Sequence, residues 1–183
     1  MDEGFERFNR HSIRLDKYDY SSPGAYFVTV VTRHRECIFG EVLGGEMRLN
    51  QFGQYVKQSW EWLPTKYPYV YIDAYVVMPN HFHGILQIIE SDDHCRGGSR
   101  PAPTGLTKIK PLGQLIGVFK TISAKQINLS RGTLGLSVWQ RNYYEHIIRD
   151  QTEMDNIAGY ILANPIHWSD DLEHIHYSKR IPL

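Results

Sequence analysis

Residues 69–89 read YVYIDAYVVMPNHFHGILQII. From Tyr69 to Val77 and again from Phe82 to Ile89, β-branched and aromatic residues dominate, which is the composition of two strands. Met78-Pro79-Asn80 separates them, and Pro79 and Asn80 favour a bend. His81-Phe82-His83 then stands at the entrance of the second strand, where a side chain is expected to be both fixed and accessible. Because side chains alternate along a strand, both imidazoles point to one face and Phe82 to the other. That arrangement presents two nitrogen ligands to one divalent cation. The plainer alternative is a pair of half-buried histidines hydrogen-bonded to their neighbours.

Working outward, residues 1–22 are polar and mixed in charge, a lead-in arm ending in the turn around Pro23-Gly24. Ala25 to Thr32 reads as a buried strand, and Cys37 to Val42, Gly44-Gly45 and Met47 to Leu49 read as a hairpin. Asn50 suits an N-cap for a helix from Gln51 to Lys66, closed by Pro68. Beyond Ile89 the composition shifts, and Ser91 to Gly105 is the candidate flexible loop. A helix is expected from Pro111 to Ser130, then a strand from Val138 to Ile148. Asp150-Gln151-Thr152-Glu153 resembles a capping box that opens a last helix. On it Met154, Ile157, Ala158 and Ile161 form an apolar stripe. Asn164-Pro165 is expected to end it, since the residue before proline is pushed out of helical geometry.

The chain has 183 residues, 42% of them hydrophobic, enough for one compact domain with a core. No apolar run approaches the roughly 18 residues that span a bilayer, and the N-terminus lacks signal-peptide character, so a soluble cytoplasmic protein is expected. Cys37 and Cys95 lack CxxC spacing, so free thiols are expected rather than a disulfide framework or a cysteine zinc site. The formal net charge is zero, but residues 96–150 hold nine Lys or Arg against Glu145 and Asp150. Such asymmetry makes a local basic surface of the kind that backbone phosphates respond to, unless these are ordinary solvated faces. Lys120 and Lys125 fall on the helix of this segment, and Arg141 in the strand block after it.

Tyr160 and Asn164, four residues apart on the last helix, share a face at the flank of its apolar stripe. A phenol there can serve as a nucleophile and the amide oxygen as a neutral metal ligand. Equally, tyrosine is common at helix edges and asparagine at helix ends.

Three blocks in this order resemble the signature blocks of the single-tyrosine HUH transposases, most closely the REP-associated tyrosine transposase branch. They are Met78-Pro79-Asn80-His81-Phe82-His83, Val138-Trp139-Gln140-Arg141-Asn142-Tyr143-Tyr144-Glu145-His146, and Gly159-Tyr160-Ile161-Leu162-Ala163-Asn164-Pro165. The resemblance spans about residues 20–168, with residues 1–22 as an arm, 23–168 as the domain and 169–183 as a tail. It implies an α/β (α+β) domain with a ferredoxin-like or RRM-like antiparallel sheet flanked by helices. It further implies that His81, His83 and Asn164 hold Mg²⁺ or Mn²⁺ and that Tyr160 is the nucleophile. On ligand type alone, Zn²⁺ would also be accepted. The implied substrate is single-stranded DNA beside a folded hairpin; the basic segment, with Lys120, Lys125 and Arg141, and the N-terminal arm are expected to hold it, and the protein is expected to be a monomer or homodimer.

Tyr143 and Tyr144 are rival nucleophiles, although an aromatic pair on a strand more often packs or stacks on DNA. His146 is a candidate neighbour of the site, and His167, His174 and His176 read as tail surface. Two other functions compete: a DNA-binding module that no longer cleaves, and a small metallohydrolase using the histidine pair with a bound water.

Overall fold

The computed structural model describes residues 18–89 and 109–170. In chain order the elements are β1 (Gly24–Val31), β2 (Gly40–Leu43), β3 (Glu46–Leu49), α1 (Gln51–Glu61), α2 (Leu63–Lys66), β4 (Val70–Val77), β5 (His81–Ile88), α3 (Leu112–Ser130), β6 (Tyr144–Ile148) and α4 (Gln151–Ala163). Strands β4-β5-β1-β6 pair in that order, each antiparallel to its neighbour. With the small β2–β3 hairpin and α4 set aside, the chain runs β-α-β-β-α-β, the ferredoxin-like arrangement expected above.

Alternation along the strands divides the sheet into two faces. Tyr26, Val28, Val30, Phe82, Leu86 and Ile88 point to the side covered by α1 and α3, where they meet Val56, Trp60, Leu115, Ile116 and Phe119. Phe27, Val76, Ile85 and Ile148 point to the other side, where Met154, Ile157, Ala158 and Ile161 of α4 pack on them. The apolar stripe of α4 thus brings that helix down on the histidine face of the sheet.

Two boundaries, one backbone conformation and one burial differ from expectation. The helix begun at Asn50, whose side chain accepts from the Phe52 and Gly53 amides, breaks at Trp62. Pro64 is the cause, because it has no N–H to donate to the Trp60 carbonyl. The strand expected from Val138 is regular only from Tyr144, with Trp139 as an isolated bridge to Thr32. The Lys120 ammonium draws the Gln140 and Arg141 carbonyls to itself at 2.7 and 3.0 Å, and Trp139 Nε1 donates to Ser123 Oγ at 3.0 Å. α4 ends at Asn164-Pro165 as expected, but Asn164 itself keeps helical geometry (φ −54, ψ −41) despite preceding Pro165. Finally, His81 is fully buried rather than accessible.

Two tyrosines make the fold sensitive to alkali. Tyr26 and Tyr75 have phenols pushed well above their ordinary pKa, first by burial and then by neighbours, the Tyr18 hydroxyl beside Tyr26 and the Glu61 carboxylate that accepts from Tyr75. Above the unfolded value of about 10 the unfolded chain releases protons that the folded chain retains, so stability must fall as pH rises. The thermal midpoint is expected to be level up to about pH 10 and then to drop, and Tyr26→Phe should flatten the drop.

Candidate active site

Strand pairing sets the histidines. Thr29 lies opposite His83, and Val31 opposite His81, in the β1–β5 ladder. Both imidazoles are buried on the α4 face, their ring centroids 4.5 Å apart at 66°. Phe82 between them faces the α1–α3 core, so the residue separating the two histidines anchors their strand.

Asn80 fixes the state of His81. Its Nδ2 donates to the Arg35 carbonyl at 3.2 Å, which leaves Oδ1 as the atom facing His81 Nδ1 at 2.8 Å. An amide oxygen can only accept, so Nδ1 carries the proton and Nε2 presents a lone pair. Burial pushes the His81 pKa down to about 3, so the ring is neutral at physiological pH. His83 Nδ1 is held by Thr29 Oγ1 at 2.8 Å, leaving its Nε2 toward α4. Trp168, in the short 3₁₀ turn after α4, packs over His81 with centroids 5.9 Å apart.

From α4 come Tyr160 and Asn164. The Tyr160 hydroxyl lies 3.4 Å from His83 Nε2, a long contact, and the side chain is half exposed. Asn164 is buried, and its helical backbone keeps it in phase with Tyr160 one turn earlier. Its amide is near enough to oppose the burial effect on His81, yet His81 Nε2 and Asn164 Oδ1 are both buried atoms that complete no hydrogen bond. Two lone-pair atoms left without a proton donor in a dry pocket are costly unless something positive lies between them. Two imidazole nitrogens and an amide oxygen are a donor set that fits a divalent cation. Among the described residues no three His, Cys, Asp or Glu side chains form a metal-binding group.

The remaining candidates are dispersed. Tyr143 packs against the α1–α3 core, whereas Tyr144 is exposed on the histidine face. His146 Nε2 pairs with Glu153 Oε1 at 2.7 Å, and Glu153 Oε2 accepts the Arg149 amide at 2.8 Å, fastening the first turn of α4 to β6. Those contacts, the Arg149 amide first, hold the Glu153 carboxyl below its ordinary range. Lys125 and Arg141 are exposed, but Lys125 sits on α3, across the sheet from the histidines. Lys120 is partly buried and spends its ammonium on the segment that carries Arg141. His167 is exposed, while His174, His176, Cys95, the 91–105 loop, most of the arm and nearly all of the tail lie outside the described residues. Burial pushes the Cys37 thiol up to about 11, the state of an inert thiol. Thr29, Asn80 and Trp168 belong to the site and were not singled out by sequence. Asn80 had a readable signal, its place between Pro79 and the first histidine, but Thr29 needed strand register and Trp168 the path of the chain after α4.

No family model matches the sequence. An uncharacterised protein of Haemophilus influenzae is 43% identical over 166 residues, covering 89% of this chain and 92% of that protein. A second Haemophilus influenzae protein, provisionally described as a REP-associated tyrosine transposase, is 28% identical over 149 residues, 81% of this chain and 73% of that one. Among solved structures, a REP-associated tyrosine transposase bound to a REP hairpin shares the fold at a TM-score of 0.55 and 21% identity, covering 87% of this chain and 74% of that chain. No helix among the described residues is long and apolar enough to cross a membrane. The chain thus shares its fold with a REP-associated tyrosine transposase and is similar in sequence to a protein provisionally described as one.

Proposed function

We propose that this transposase-like protein is a single-stranded DNA endonuclease and strand transferase in which Tyr160 attacks a phosphodiester beside a DNA hairpin. The observation that carries this reading is the approach of the Tyr160 hydroxyl to within 3.4 Å of His83 Nε2, beside the unpartnered His81 Nε2 and Asn164 Oδ1. His81, His83 and Asn164 would hold Mg²⁺ or Mn²⁺, which when bound supplies neutralisation of charge on the scissile phosphate.

Tyrosine phenols are mostly protonated at neutral pH, so attack requires loss of the phenolic proton, which the half-exposed Tyr160 can release to solvent. Its oxygen then bonds to phosphorus while the bond to the 3′ oxygen breaks. The products are a 5′-phosphotyrosine and a free 3′-hydroxyl. Since the ester keeps the energy of the broken bond, attack by another 3′-hydroxyl regenerates Tyr160 and joins the strands without a nucleotide cofactor. Asn80 and Thr29 keep the two rings oriented throughout. Arg141 and Lys125 offer phosphate contacts, and Lys120 contributes by holding the Arg141 segment. A hairpin substrate is supported by a solved structure of the same fold, a REP-associated tyrosine transposase bound to a REP hairpin.

The test is incubation with hairpin-bearing single-stranded oligonucleotides and Mn²⁺, followed by a denaturing gel. A covalent protein–DNA species that disappears on chelation supports the proposal. Salt-sensitive binding without that species would make the chain a non-cleaving DNA-binding module, and DNA-independent hydrolysis would make it a metallohydrolase. Asn80 gives a narrower check. Asn80→Leu removes the acceptor for His81 Nδ1 and should weaken Mn²⁺ binding by about 10–100-fold in titration calorimetry, as loss of an outer partner of a ligating histidine typically does. Asn80→Asp, which keeps an acceptor there, should recover most of that loss.

A further inference from the structure

We propose that Tyr144, propped on Phe27 beside the nucleophile and the second histidine, is a stacking platform for an unpaired nucleobase of the DNA strand that crosses the site. The inference deepens the DNA-cleaving function proposed above and rests on it. Tyr144 takes no part in that chemistry. It stands on β6, the edge strand of the sheet, on the face that carries His81 and His83. Its side chain is 48% exposed, a large aromatic surface left to solvent, and among the described residues its hydroxyl makes no hydrogen bond.

What distinguishes Tyr144 from an ordinary edge-strand tyrosine is its support. Phe27 meets the Tyr144 ring edge-on at 6.2 Å and 68°, and meets Tyr160 in the same manner at 6.2 Å and 84°. The same phenyl stacks on His83 at 5.4 Å and 27°. One buttress therefore sets the nucleophile, a candidate metal ligand and Tyr144. A side chain held in this way loses little freedom when a flat ligand settles on it.

Position indicates the occupant. Tyr144 lies opposite Thr29, and Thr29 opposite His83, so Tyr144 is two strand spacings, about 10 Å, from the centre of the site. A base stacked there belongs to a nucleotide near the scissile phosphate rather than to the reacting one. Arg141 and Arg149, both exposed, flank β6 in sequence and offer cations to the adjoining backbone. A neighbouring carboxylate, Glu153, is already engaged by His146 and the Arg149 amide. An exposed aromatic ring with flanking arginines is suited to a nucleobase, whose π-face stacks whatever its sequence.

The test uses hairpin oligonucleotides with a short single-stranded flank of randomised sequence in which 5-iodouracil replaces thymine. Affinity is measured, and photocrosslinks are mapped by mass spectrometry, for the wild type, Tyr144→Leu and Tyr144→Phe. Leucine keeps Phe27 covered but has no π-face, so it should bind about 5–100-fold more weakly and lose the crosslink at position 144. Phenylalanine should restore both. Unchanged affinity in Tyr144→Leu, or a Phe variant as impaired as the Leu one, overturns the stacking role. Absence of any DNA binding by the wild type overturns this inference together with the function it rests on, whereas wild-type adduct formation with no effect of Tyr144→Leu overturns the stacking alone.

Discussion

Tyr160→Phe is expected to abolish the covalent protein–DNA adduct while leaving hairpin binding largely intact. The substitution removes a single oxygen, the one placed 3.4 Å from His83 Nε2. The ring itself stays, with its edge-on packing against Phe27. Binding that depends on phosphate and base contacts elsewhere has no reason to change, whereas strand cleavage loses its nucleophile. For a reaction that passes through a covalent intermediate the loss should be on the order of 10³-fold or more. The adduct is read on a denaturing gel and binding by filter retention of the same oligonucleotide. An undiminished adduct would transfer the role to Tyr143 or Tyr144. Tyr143 packs in the α1–α3 core, on the side of the sheet away from the histidines, so Tyr144 would then be the first to examine.

Phe82→Ala should cause the largest loss of stability, about 3–5 kcal/mol by the precedent of buried aromatic truncations. Phe82 is fully buried with ring centroids 4.7 Å from Trp60, 5.0 Å from Phe119 and 6.2 Å from Tyr75. Gly84, two residues on and therefore on the same face, makes room for it. A Cβ at Gly84 would stand 2.8 Å from Phe82 Cε1 and Cζ and 2.9 Å from Trp60 Cζ2. Truncation leaves a cavity between the sheet and its helices that such large rings cannot readily collapse into. Chemical denaturation should show the drop, with Phe82→Leu clearly milder. A change below about 1 kcal/mol would mean that Phe82 is not the anchor of β5. Since Phe82 separates the two candidate ligands, a loosened β5 should also weaken Mn²⁺ binding without altering any ligating atom.

Much of this protein was legible in its residues. Period-two alternation around His81-Phe82-His83 determines that two imidazoles share a face and that the intervening aromatic goes to the other, in whatever sheet the strand joins. The helical spacing of Met154, Ile157, Ala158 and Ile161 likewise determines which side of α4 is buried, and with it the flank on which Tyr160 and Asn164 stand. Where a local rule met a tertiary contact, the contact decided. Asn164 remains helical before proline, and the strand expected from Val138 is regular only from Tyr144 because Lys120 holds the Gln140 and Arg141 carbonyls. Of the described cations of the basic segment, Lys125 rides on the helix across the sheet from the histidines.

Sequence by itself therefore determined the facing of the candidate residues, which follows from backbone periodicity, whereas their roles as ligands and nucleophile are what the resemblance to the HUH transposases implies. Tertiary structure decided that they meet, that Asn80 fixes the tautomer of His81, that Thr29 steadies His83, and that Phe27 ties Tyr144 to the site. Those relations join residues tens of positions apart through strand register and helix docking, which no local spacing encodes.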